Sequence, residues 1–401
     1  NVFIGKDSGG GTWAGVGCDY NIGIGTNTLD AAMNGADNNI AIGYNALTDL
    51  VGGDKNIAIG SEAGANIGES GNNILIGYQS GDAIVDGASG TIAIGHQALT
   101  ALTTGAGNTA IGYQAGDAIT TAPQNTAIGY QALTANVEGL HNTAIGYTAL
   151  VACAGSDAEQ ANVAVGREAG YGIVTGRFNI CVGNKTMQNA AHADTDYNVA
   201  IGHTAMKGGT DAGFQYNVAV GGATLSAITA GDYNVAVGHQ SLKSTTGGTN
   251  NIALGYYALG EAEAGESYNI AIGSQAMGVL KEGTGGGART ADYNIAIGYQ
   301  ALYGGDLEST SGDVLKCIAI GHNAFDATSG TDHIGAVVIG HEAGTAVNDD
   351  DAVGLTLVGY QAGASITSGA GNTAVGYQAM SEVVTGLRNI AIGYQAMHDT
   401  S

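Results

Sequence analysis

Residues 108–150 read NTAIGYQAGDAITTAPQNTAIGYQALTANVEGLHNTAIGYTAL. The phrase N-T-A-I-G-Y opens at Asn108, returns at Asn125 and returns again at Asn142, 17 residues apart each time. Outward from this stretch the phrase decays but never disappears. Marked by its glycine (Gly112, Gly129 and Gly146 in the quoted stretch), it occurs 22 times between Gly5 and Gly393. The commonest spacing is 17 residues, most others are 18 to 20, and two stretch to 25 and 23. A period this short cannot hold a helix–turn–helix repeat. β-Branched residues beside a fixed glycine also argue against a long helix. The period suits one coil of a β-solenoid. The chain therefore reads as all-β, a β-solenoid or β-roll of about 22 coils, forming a single continuous repeat domain over residues 1–401.

Side chains alternate across a strand. Within NTAIGYQAL one face carries Thr, Ile, Tyr and Ala, and the other carries Asn, Ala, Gly, Gln and Leu. Two short strands and two turns are expected per coil. Ile111, Ile128 and Ile145 are expected to fill the interior. The Ala and Gly face is expected to meet a neighbouring backbone. Asparagine opens 18 of the 22 units, the exceptions being Thr91, Cys317, Ala336 and Leu355. Stacked at one corner, Asn108, Asn125 and Asn142 are expected to form a ladder and to serve structure, not catalysis.

Composition agrees with many small cores. The 401 residues include 70 Gly but only 1 Pro, 4 Phe and 1 Trp. One proline and no strict G-x-y period exclude collagen. With 44% hydrophobic residues the chain is not an ordinary disordered one. The net charge of −24 argues against nucleic acid and against docking on anionic membranes. Cys18, Cys153, Cys181 and Cys317 show no C-x-x-C pair and no zinc spacing. No apolar run reaches 18 residues, so no membrane span is expected in this segment. A single coil buries little, so stacking, and lateral packing of several chains through the small-residue face, must supply the rest. A homo-oligomer is therefore expected.

The N-x-A-I-G-x-x-A phrase resembles the head repeats of trimeric autotransporter adhesins of the YadA type. It resembles still more closely the NTAIGYQAL runs of phage tail fibres and related surface fibres. The residues that carry the likeness are sets such as Asn125, Ala127, Ile128 and Gly129, and it spans essentially the whole chain. The resemblance implies a left-handed β-roll and a homotrimer of rolls around one axis. It also implies an extracellular, cell-surface or virion location. The adhesin heads have shorter coils, so the second turn is larger here. No coiled-coil stalk or anchor lies within these residues.

Functional candidates are few. The residue after the motif glycine is Tyr at Tyr113, Tyr130, Tyr147, Tyr360, Tyr377 and Tyr394, among others, and His at His96, His203, His239, His322 and His341. These form a stripe, expected to stack structurally and offered as a surface-contact stripe for a host receptor or glycan. A second set of tyrosines precedes the Asn, as at Tyr197, Tyr216 and Tyr233. Acidic loops (Asp54, Asp82, Asp117 and the run Asp349–Asp351) invite calcium or another divalent cation, although no calcium-binding repeat recurs. No other cofactor is expected. The longer insertions at 274–298 and 299–321 would bulge from the coils, and they are the first place to look for a partner. No nucleophile elbow, zinc helix or phosphate loop is present, so the chain does not read as an enzyme. The expected role is a structural or adhesive fibre that contacts a host or surface multivalently. The alternative is a self-assembling extracellular filament, joined end to end, without a receptor site.

Overall fold

The computed structural model describes residues 1–11, 17–155, 159–191, 195–209, 213–262, 265–279, 291–304, 313–328, 332–348 and 353–398. Residues 280–290 and 305–312 of the two long insertions, and the run Asp349–Asp351, lie outside the described residues. The chain divides into two compact units, Asn1–Tyr197 and Asn198–Ser401.

In the first unit, eleven strands of three residues run from Val2–Ile4 to Ile180–Val182. Each pairs in parallel with the strand of the next coil. The register puts equivalent residues opposite one another: Ala110 faces Ala127, and Ala127 faces Ala144. The second unit repeats the plan with eleven strands from Val199–Ile201 to Ile390–Ile392. It adds one pair of two-residue strands, Val314–Leu315 with His333–Ile334. Each unit is thus a parallel β-solenoid with one rung per motif glycine.

The two faces of the strand are the reverse of those expected. Ala110, Ala127 and Ala144 are buried, whereas Thr and Ile on either side of them point outward. Ile111 is 36% exposed, and Ile128 and Ile145 are half-buried. The cause is the thinness of the coil. Its interior already takes Asn at one corner, a second Ala and Leu after the glycine (Ala132 and Leu133), and an aliphatic residue from the far wall such as Ile119 or Leu102. Only a methyl fits at the strand centre. Leu75 shows the limit, for it occupies an Ala position and is flanked by Gly64 and Gly81. A Cβ on either glycine would press on a Leu75 methyl, at 2.5 and 2.8 Å. Leu357 between Gly344 and Gly363 repeats this compensation. Chain-to-chain packing through the small-residue face is excluded for the same reason, because that face is the coil interior.

The second strand expected in each coil is generally absent among the described residues. After the strand the backbone takes positive φ at alternate residues, as at Gly129 (136°), Gln131 (49°) and Leu133 (56°). This alternation turns successive N–H groups toward opposite neighbours. Gln131 N–H donates to Tyr113 O in the preceding coil at 2.9 Å, and Leu133 N–H donates to Ala149 O in the following coil at 3.0 Å. The backbone is satisfied between coils without forming a regular ladder. Gly129 is required twice over. Its φ lies where L-residues are strained, and a Cβ there would overlap the carbonyl oxygen of Gly146.

Candidate functional site

Four columns of equivalent side chains decide what each unit can do. The first is internal. Oδ1 of each ladder Asn accepts the backbone N–H of the next, at 2.8 Å from Asn125 to Asn108 and at 2.8 Å from Asn142 to Asn125. Nδ2 of Asn108 donates to Gly105 O and Ala122 O at 2.9 and 2.8 Å. These asparagines are fully used and enclosed, so they take no part in surface chemistry. Thr91 and Cys317 keep the column through their own N–H groups, which bond to Asn73 and Asn294 at 2.9 Å each.

The second feature is the pair of outward columns from the first and third strand positions. Ile24, Ile59 and Ile111 in the first unit, and Ile201, Val237 and Ile297 in the second, are each more than a third exposed. Because the register never slips, these side chains line up coil after coil as an aliphatic surface. Contiguous exposed apolar surface is limited to small patches on most lone soluble chains.

Beside it runs the aromatic column. In the first unit Tyr78, His96, Tyr113, Tyr130 and Tyr147 follow one another at 5.2 Å between ring centroids. In the second unit Tyr360, Tyr377 and Tyr394 continue a run that includes His322 and His341. Tyr113 and Tyr130 are only 8° from coplanar. Their faces cover each other, so the column shows solvent its ring edges and hydroxyls. A sugar that needs an aromatic face therefore has none along the body of the stripe. The tyrosines before the Asn also stack, as Tyr216 does on Tyr233 at 5.0 Å. They sit at φ 57° and 59°, a left-handed position that composition alone did not reveal.

The fourth column is an amide ladder that the sequence reading missed. Gln79 donates to Glu62, Gln97 to Gln79, Gln114 to Gln97 and Gln131 to Gln114, at 2.8 to 3.3 Å. The signal was available in the Gln that follows most of the Tyr and His residues of the aromatic column.

Electrostatics favour structure over reactivity. Cys18, Cys153, Cys181 and Cys317 are free thiols, all buried. Burial pushes Cys153 up to about 12, against a hydrogen bond to Gln160, and Cys317 up to about 11. Burial raises the Asp82 and Asp117 carboxyls, while Asp54 accepts the Asp37 N–H at 2.7 Å. Among the described residues, no group of three or more His, Cys, Asp and Glu is placed to hold a metal ion. Nor is any described helix long and apolar enough to cross a membrane. Comparison with protein-family models, with curated proteins and with solved structures gives no match. The fold and the columns thus define a structural, fibrous class of protein, a repetitive all-β solenoid.

Proposed function

We propose that this chain is a segment of an extracellular or virion fibre, and that its aliphatic columns pack against further copies of the same chain, as a homotrimer. The observation that carries the reading is the outward Ile and Val of the three-residue strands. A solenoid whose strands turn Ala inward leaves the Ile and Val of those strands on the outside, where another surface can cover them. Most such side chains are already about two thirds covered, so covering the rest gains only part of the roughly 1.5–3 kcal/mol of full burial. The strong negative charge keeps the remaining surface soluble. A stack of identical coils also presents one surface many times over, which suits multivalent contact with a host receptor or glycan.

Light scattering on the eluting protein tests the assembly. The expected mass is three times that of the 39.7 kDa chain. Replacing Ile111, Ile128 and Ile145 together by Asp is expected to reduce it to one chain with unchanged far-ultraviolet dichroism. A wild-type monomer would contradict the reading. Open-ended polymers would favour the end-to-end filament.

A further inference from the structure

The amide ladder of the first unit stops at Thr148. Gln131 donates to Gln114 at 3.0 Å, but the next residue in the column is Thr, too short to continue. Among the described residues nothing donates to Oε1 of Gln131, and Oγ1 of Thr148 is enclosed without a partner. The aromatic column stops at the same place. Tyr147 stacks on Tyr130 at 5.2 Å, and the following residue of the column is Arg167, not a ring. Arg167 brings no ring to the column, and its Nε donates to Glu168 at 2.8 Å. Tyr147 is accordingly 52% exposed, against 43% for Tyr130 and 41% for Tyr113.

The coincidence of the two breaks opens a notch of about 500 Å³. Its lining includes Gln131, Tyr147, Thr148, Glu168, Tyr171 and Gln188. All of them lie in turn segments, outside the strands that carry the aliphatic columns. We propose that this notch is a binding site for the pyranose ring of a neutral glycan, seated against the open face of Tyr147.

The chemistry of the lining selects that class. Tyr147 has the one feature that the body of the stripe lacks, a ring face with no aromatic cover, and Tyr171, 43% exposed, adds a second aromatic wall. An aromatic face binds the C–H face of a sugar, and nearby amides and carboxylates fix its hydroxyls. Gln131 Oε1 is an unused acceptor for a hydroxyl. Glu168 accepts from Gln188 at 2.7 Å and lies 3.7 Å from Lys185, so it is held rigidly at the rim. Its carboxyl is held below the usual range, first by the hydrogen bond from Arg167. It therefore stays ionised and pairs with both Arg167 and Lys185, while the chain's net charge of −24 disfavours an acidic sugar. The volume is at the lower end for a small-molecule pocket, enough for one or two rings.

The repeat itself supplies the controls. Thr148→Gln restores the amide ladder and fills the notch, and Arg167→Tyr extends the stack over Tyr147. Both install the residue that the column carries elsewhere, so neither threatens the fold. Saturation-transfer NMR on the full chain, with methyl glucoside, methyl galactoside and methyl mannoside as separate probes, reads the binding. At least one probe is expected to receive transfer from wild type, with affinity reduced about tenfold or more in each variant, the loss of one good contact. Transfer to none of the three would overturn the proposal. So would equal binding by wild type and both variants, or binding of N-acetylneuraminic acid alone. The test reads a site within one unit, so its failure leaves the trimer reading standing, and the mass measurement can fail without touching it.

Discussion

The backbone N–H of Asn125 donates to Oδ1 of Asn108 at 2.8 Å, joining two coils through a side chain buried in both. Asn108→Ala removes this acceptor and also strands the carbonyls of Gly105 and Ala122. Leaving a buried polar group unsatisfied costs roughly 1–3 kcal/mol. The expected result is a local loss of about 3 kcal/mol, read as faster hydrogen exchange at the Asn125 amide. Asn108→Asp is expected to be worse, because it buries a charge beside those carbonyls.

Substitution in the glycine column should be more severe. Gly129→Ala meets both the Gly146 carbonyl and a φ of 136°. A strained backbone alone costs of order 1–3 kcal/mol, before the overlap is counted. Protease cutting near residues 129–146 is expected in the variant and not in the wild type. Gly90→Asn is the matched control, since Gly90 has φ 72° and nothing within 4 Å of an added Cβ. It should leave the digestion pattern unchanged.

The repeat made the solenoid, its 17-residue rhythm and the Asn ladder legible in the sequence. The orientation of the strand was not legible from alternation, because TAI alternates equally well either way round. Volume decides it, and the clue lay in the exceptions: Leu75 and Leu357 are tolerated only where Gly64 and Gly81, or Gly344 and Gly363, make room. The left-handed Gln and Leu positions were hidden because neither residue advertises positive φ, and the bonds between coils impose it. The notch was equally invisible in any one repeat. It arises where Thr148 and Arg167, from adjacent coils, depart from two columns at once.

Acid should weaken the second unit through His333. This side chain is buried edge-on to Phe325, and among the described residues neither ring nitrogen has a partner. Burial pulls it down to about 4, opposed by Asp332. The unfolded chain therefore binds a proton that the folded one refuses. The stability is whole above the ordinary histidine value near 6.5 and is lost as pH falls toward 4, by up to roughly 3 kcal/mol. Denaturant midpoints measured between pH 7 and pH 4 should drop in wild type and drop less in His333→Phe. Equal slopes would remove His333 as the cause.

Three of the four thiols, Cys153, Cys181 and Cys317, should be silent while the chain is folded. Thiolate is the reacting form, and burial raises Cys153, Cys181 and Cys317 above the usual range. Ellman's reagent at pH 8 is expected to titrate none of these three before denaturant is added and all of them afterwards. Rapid reaction of Cys153 in the native protein would place it at the surface and contradict the packing.

The account rests on strands whose central Ala lies inside the coil, with the flanking Ile and Val left outside for another chain. Cryo-electron microscopy of the native assembly examines both halves of that statement in one density. Three chains are expected, with the columns containing Ile111, Ile128 and Ile145 turned toward one another and Ala110, Ala127 and Ala144 enclosed within each coil. Isolated chains with the aliphatic columns in solvent, or chains joined through any other face, would contradict it.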